Sequence, residues 1–225
     1  KLADEMEHEV ESLMAPGTLD KEIAAPSDIG KATRINDAIG RYTVWLKSCF
    51  PRELTLEGMR IGVDCGNGAA YVVGPQTFNE LGADVVSRGV SPYGKNINAG
   101  FGSLYPQVMS KLVVEQNLHF GVSLDGDADR VILVDEKGAV HDGDIVLAIC
   151  ALDLKSRGLL RGDTVVATVM SNLGLERLLG ASGIKVIRSQ VGDRYVLEEM
   201  LRLKLQLGAE QSGHAIFSDY STTGD

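Results

Sequence analysis

The sequence predicts tandem α/β/α domains with mixed, mainly parallel sheets. Two observations predict it. Short apolar runs that read as strands alternate with stretches that read as helices, from Met59 to Leu203, the signature of parallel α/β units. The alternation runs through twice at similar spacing, with a break near residues 138–142. The expected division is the tail of a first α/β domain over 1–40, a second domain over 41–139 and a truncated third over 140–225.

Leu2, Met6, Val10 and Leu13 recur at three- and four-residue spacing and predict an amphipathic helix over 1–14, which Pro16-Gly17 stops. A looser acidic stretch follows to Gly30. Ile35, Ile39, Tyr42 and Leu46 then share one side of a helix over 34–46. Residues 59–64 read as a strand, 66–70 as a turn into a helix reaching Leu81, and 84–86 as the next strand. After a Gly/Pro/Asn loop over 91–103 come a helix over 106–117 and a strand over 118–124. Strands over 131–135 and 139–141 pair around Lys137-Gly138. Asp142-Gly143-Asp144 caps a helix to Ser156, its acidic residues at the positive end. A strand over 164–169, a helix over 173–179, a strand over 185–187 and a helix over 194–203 complete the second round.

The composition, 44% hydrophobic and 24% charged over 225 residues, is that of a globular chain with ample core. A net charge of −9 argues against nucleic acid as a partner, because a phosphate backbone wants a basic face. A small phosphorylated ligand needs only local positive charge. Cys49, Cys65 and Cys150 form neither a disulfide framework nor a zinc pattern, which fits a reducing, cytoplasmic setting. The sequence holds no apolar run of membrane-spanning length and no signal peptide, so no membrane partner is expected. Both ends read as cut, because Lys1 stands inside the first helix and residues 222–225 form a loop that leads nowhere.

The chemistry concentrates in Ser123-Leu124-Asp125-Gly126-Asp127-Ala128-Asp129-Arg130. Three carboxylates in five residues resist ionising beside one another. A hard divalent cation, Mg²⁺ or Ca²⁺, neutralises such a cluster through its oxygens. In a straight strand alternate side chains stand about 6.6 Å apart, too far to share one ion, so the segment must curl, and small Gly126 and Ala128 allow it. Arg130 adds a planar cation suited to a phosphate. The residues also match an EF-hand loop through Asp125, Asp127, Asp129 and Glu136, but Arg130 stands where that loop needs glycine. A solvated turn is the bland alternative.

Asp64-Cys65-Gly66-Asn67-Gly68-Ala69 has the glycines of a dinucleotide turn without the third, and reads as structural. The loop 94–103 lines a cleft or merely connects. Asp193 reads as a helix N-cap and Arg194 as a group within reach of an anion. Glu210-Gln211-Ser212-Gly213-His214 brings a carboxylate, an amide, a hydroxyl and an imidazole together, flexible between glycines, an inventory suited to the vicinal hydroxyls of a sugar.

Taken in order, the 64–69 turn, the aspartate motif and the 210–214 loop resemble the α-D-phosphohexomutase superfamily. Gln211, the 191–196 stretch and Thr222-Thr223-Gly224-Asp225 resemble its bacterial phosphoglucosamine mutase branch most. The resemblance implies interconversion of glucosamine 6-phosphate and glucosamine 1-phosphate, through a phosphoserine and a bisphosphorylated sugar, on the way to peptidoglycan precursors. It implies Asp125, Asp127 and Asp129 as Mg²⁺ ligands and Arg130 beside the phosphoryl group in flight. Glu210 and Ser212 would hold sugar hydroxyls, with His214 nearby, and a homodimer is compatible with it. No Ser-His-Asn phosphoserine loop occurs in the chain, and the family's fourth domain is missing, so the piece alone is expected to be inactive. Residues 102–105 also depart from the Gly-Ser-Thr-His often found there. The alternatives are a phosphomannomutase or phosphoglucomutase, and a non-catalytic metal- and sugar-binding module.

Overall fold

A computed structural model describes residues 3–20 and 22–224. Two compact units divide the chain, Lys1–Asn36 and Asp37–Asp225. The first holds α1 (Asp4–Leu13), which buries none of its residues, and a single 3₁₀ turn at Pro26–Asp28. Leu2, expected on the apolar stripe of α1, lies outside the described residues.

The second unit opens with α2 (Ala38–Ser48) and contains two mixed sheets. The first sheet is built from β1 (Arg60–Asp64), α3 (Val73–Glu80), β2 (Asp84–Arg88), α4 (Pro106–Gln116), β3 (Phe120–Leu124), β4 (Val131–Asp135) and β5 (Val140–His141). Its strand order is β2-β1-β3-β4-β5. β1 pairs in parallel with β2 and β3, and the β3–β4 and β4–β5 pairs are antiparallel. The second sheet follows from α5 (Gly143–Ser156), β6 (Thr164–Thr168), α6 (Leu173–Ala181), β7 (Lys185–Ser189), α7 (Asp193–Leu203), β8 (Leu207–Ala209) and β9 (Ala215–Phe217), in the order β7-β6-β8-β9.

Helices cover the sheets because their apolar positions face them. Met109, Leu112 and Val113 of α4 are buried with Leu118, just before β3, and Val134 of β4. Leu147, Ala148 and Ala151 of α5 and Leu175 and Leu179 of α6 pack on Val165 and Ala167. Val196, Leu197 and Met200 of α7 pack on Val166 and Ile216. Each large apolar side chain among them contributes about 1.5–3 kcal/mol when fully buried.

The helices and long strands fall where the hydrophobic periodicity puts them, with ends shifted by a few residues. Three readings are corrected. The second predicted helix starts at Ala38, not at residue 34. Asp193 is the first helical residue of α7, and Gly192, at φ +126°, takes the cap position instead. The loop read as flexible between glycines is the tip of a tight hairpin, because β8 and β9 pair from Leu207↔Phe217 to Ala209↔Ala215.

Cys65, directly after β1, is fully buried, and burial together with the neighbouring Asp64 charge pushes its thiol up to about 12. Thiolates, not thiols, react with iodoacetamide. At pH 8 the folded protein should therefore keep Cys65 unlabelled while urea makes it reactive, as peptide mass spectrometry would show. Labelling of Cys65 without denaturant would contradict its burial.

Candidate metal centre and adjoining hairpin

The aspartates lie between β3 and β4, at the carboxyl end of a parallel strand, where open α/β sheets take ligands. The loop does curl. Ala128 adopts φ +62° and its N–H donates to the Asp125 carbonyl at 3.1 Å, closing the turn. Gly126 serves a different purpose from the expected bend. A Cβ there would meet Ile97 Cγ2 at 2.5 Å and Asn98 Nδ2 at 3.0 Å.

One oxygen from each of Asp125, Asp127 and Asp129 lies within 4.8 Å of the others. Around Mg²⁺, with bonds of about 2.1 Å, neighbouring oxygens stand about 3 Å apart and opposite ones about 4.2 Å. A small contraction fits the triad to such an ion. Asp125 is buried, and Arg130 Nε sits 2.7 Å from its Oδ2 and 3.4 Å from Asp129 Oδ1. The N–H misses hydrogen-bonding geometry, so both oxygens are buried without a donor. Burial pushes the Asp125 carboxyl up. The Arg130 backbone N–H and charge pull it back, and Asp129 and Asp127 push it up again. Desolvation works against the Arg130 charge, but Asp125 and Asp129 outweigh it and raise its pKa. One monovalent cation leaves two orphaned oxygens beside three carboxylates, and the donor set suits a hard divalent ion.

The 64–69 turn seats this loop. Asp64 is fully buried, accepting from Gly66 N–H at 2.9 Å and Gly102 N–H at 2.8 Å. Ala69 N–H donates to the Gly126 carbonyl at 2.8 Å, and a Cβ on Gly68 would overlap the Gly126 backbone. The 94–103 loop braces the same place, with Asn98 N–H on the Gly66 carbonyl at 2.7 Å and Ser103 N–H on that of Leu124 at 3.0 Å.

The 210–214 hairpin tip reaches the aspartate loop from the second sheet. Its turn is closed by Glu210 N–H to the His214 carbonyl at 2.8 Å and Gly213 N–H to that of Glu210 at 3.0 Å. Val131 N–H donates to the Gly213 carbonyl at 3.1 Å, tying the tip to the residue after Arg130. On the other side Gly143 N–H donates to the Gln211 carbonyl at 3.0 Å, and a Cβ on Gly143 would overlap the Glu210 carbonyl. Only glycine lets α5 start this close.

His214 is buried and does not line the cavity at the hairpin tip. Its Nε2 accepts from Gly224 N–H at 3.1 Å, which assigns the ring proton to Nδ1, 3.2 Å from Asp129 Oδ2. It thus joins hairpin to aspartate loop. Glu210, Gln211 and Ser212 do line that cavity, about 310 Å³, with Asp142, Thr168, Met170 and Val191. Glu210 Oε1 accepts from Gly192 N–H at 2.9 Å. Arg194 is not in the lining, and its Nε pairs along α7 with Glu198 at 2.9 Å. Asp142 is the lining residue that sequence reasoning took only as a helix cap. Its Oδ1 does cap α5, accepting from Asp144 N–H, but its Oδ2 accepts from Gln211 Nε2 at 3.2 Å. No spacing signals a partner 69 positions away.

Comparison with known proteins is consistent with this geometry. The phosphoglucomutase/phosphomannomutase α/β/α domain II matches residues 41–138, and domain III of the same family matches residues 142–225. The chain belongs to the phosphoglucomutase/phosphomannomutase family. Domain II of that family here carries the aspartate loop, and domain III the hairpin. Phosphoglucosamine mutase of Myxococcus xanthus (strain DK1622) is 55% identical over 225 residues, which are 100% of this chain and 49% of that protein. That of Geobacter metallireducens is likewise 55% identical over 100% of this chain and 50% of its own length. The chain therefore spans about half the length of the curated relatives it matches. Among solved structures, a putative phosphomannomutase from Thermus thermophilus matches with a TM-score of 0.77 and 23% identity, over 100% of this chain and 50% of that one. This likeness shows a shared fold.

Proposed function

We propose that the chain is the metal- and sugar-binding part of a phosphoglucosamine mutase, interconverting glucosamine 6-phosphate and glucosamine 1-phosphate. The observation that carries the reading is the direct coupling of the two loops, His214 Nδ1 to Asp129 Oδ2 at 3.2 Å. It puts a cavity rich in hydrogen-bond acceptors beside a candidate phosphate-handling centre. The 55% identity to phosphoglucosamine mutases over the full chain supports the substrate. The partition into a first-domain tail over 1–40 and domains over 41–139 and 140–225 belongs to this reading.

Asp125, Asp127 and Asp129 would hold Mg²⁺, which supplies charge stabilisation to a transferring phosphoryl group. Arg130, its side chain 41% exposed, presents its remaining guanidinium edge to the same group. Glu210 and Ser212 orient the ring through its hydroxyls, the carboxylate accepting and the hydroxyl donating or accepting. Arg194, at the start of α7, would approach the sugar phosphate.

The test uses the full-length protein. Glu210→Ala removes a charged acceptor and should lower catalytic efficiency about ten- to hundredfold for every hexose phosphate in both directions. Gln211→Met should instead shift the ratio between glucosamine and glucose or mannose phosphates. Absence of glucosamine phosphate turnover by the wild type would sink the proposal. A wild type preferring mannose or glucose phosphates would replace it with the phosphomannomutase or phosphoglucomutase reading.

A further inference from the structure

The cavity at the hairpin tip is lined by two carboxylates, Asp142 and Glu210, and by no lysine, arginine or histidine among the described residues. Such a lining favours a ligand group that donates and carries positive charge. The Gln211 amide adds to this in a way that Asp142 decides. An ionised carboxylate only accepts, so the Gln211 NH₂ must face Asp142 Oδ2, 3.2 Å away. The amide carbonyl Oε1 is thereby turned from Asp142 as a third acceptor. Asp142 is itself held, since its Oδ1 accepts from Asp144 N–H at 3.1 Å and Ile145 N–H at 3.4 Å. The hairpin cannot drift from it either, because Gly143 N–H grips the Gln211 carbonyl at 3.0 Å.

We infer that Asp142 is a positioning residue for amino-sugar selectivity: it fixes Gln211 with its carbonyl toward the cavity, and its charge favours the ammonium of a 2-amino hexose phosphate over the hydroxyl of the corresponding hexose. The inference rests on the phosphohexomutase reading above and adds to it the residue that sets substrate class. The cap to α5 is a separate duty of the other oxygen of the same carboxylate.

Asp142→Asn in the full-length enzyme separates the two duties. Asparagine caps helices as well as aspartate does, so its Oδ1 keeps the Asp144 N–H. Its Nδ2 then replaces Oδ2 and meets the Gln211 NH₂ donor to donor. The amide must rotate, offering NH₂ to the cavity where a carbonyl stood, and the charge is gone. The ratio of kcat/KM for glucosamine 6-phosphate over glucose 6-phosphate should fall about tenfold or more, chiefly through KM for the amino sugar. Adding Gln211→Glu should restore the preference, since the introduced asparagine can donate from Nδ2 to one oxygen of the introduced glutamate. The other glutamate oxygen then returns an anionic acceptor to the cavity. If D142N melts early, Asp142→Ser, which keeps a capping oxygen but falls short of Gln211, gives the same readout. An unchanged ratio in a folded variant, or no recovery in the double variant, leaves Asp142 as a helix cap and overturns the inference alone. A wild type without glucosamine phosphate turnover overturns the reading beneath it as well.

Discussion

Asp127→Asn in the full-length protein is expected to lower turnover by at least about a hundredfold while shifting the melting temperature by no more than about 2 °C. Asp127 is the exposed member of the triad, whereas Asp125 is buried and accepts from the Arg130 backbone N–H at 3.1 Å. An exposed substitution typically changes stability by less than about 0.5 kcal/mol. Removing one negative charge also eases the mutual repulsion that raises the Asp125 carboxyl. The loss therefore falls on ion binding, and through it on a charge stabilisation of several kcal/mol. Kinetics across a Mg²⁺ titration, paired with thermal melts, would check both halves. Wild-type turnover at limiting Mg²⁺ would mean the triad is not the metal centre, and a large drop in melting temperature would make it a structural one.

Gly213→Ala should strongly destabilise the site. Gly213 has φ +101°, and a Cβ there would overlap the Val131 carbonyl oxygen and stand 3.0 Å from Val131 N and C. Strained φ/ψ costs about 1–3 kcal/mol, and overpacking adds about 1–3 kcal/mol. Backbone atoms cannot swing aside as a side-chain tip can. A loss of about 2–6 kcal/mol corresponds to a fall of about 4–24 °C in a chain of this size. Urea and thermal unfolding would measure it. In the full-length protein activity should fall further than stability, because Val131 directly follows Arg130 and carries any shift into the aspartate loop. A melting temperature within about 2 °C of wild type would show that the hairpin yields freely and that its register with β4 is loose.

What the sequence reveals depends on whether the information is local. Asp125, Asp127 and Asp129 are neighbours in the chain, so their shared chemistry is visible before any fold is known. Strands such as Val131–Asp135 and helices such as α4 show their apolar period and are found within a few residues. β8 and β9 are not found, because three residues each, one strand with Gly208 at its centre, are too few to show a period of two. Ala128 at φ +62° is invisible for another reason, since alanine rarely takes that conformation and the surrounding turn imposes it. The roles of Asp142 and His214 depend on partners 69 and 85 positions away. The packing of α5 on its own sheet creates the first role, and the placement of one sheet against the other creates the second.

The hairpin tip is gripped on two sides, by Val131 N–H on Gly213 and by Gly143 N–H on Gln211, with one residue between the two grips. An insertion or deletion within residues 210–214 would break one grip or the other and carry the metal loop with it. Loop length is therefore closed to variation here, in contrast to most surface turns, which tolerate indels freely. On the proposed reading, divergence toward other hexoses would proceed by exchanging side chains on an unchanged backbone, as at positions 211 and 142, whose side chains make neither grip.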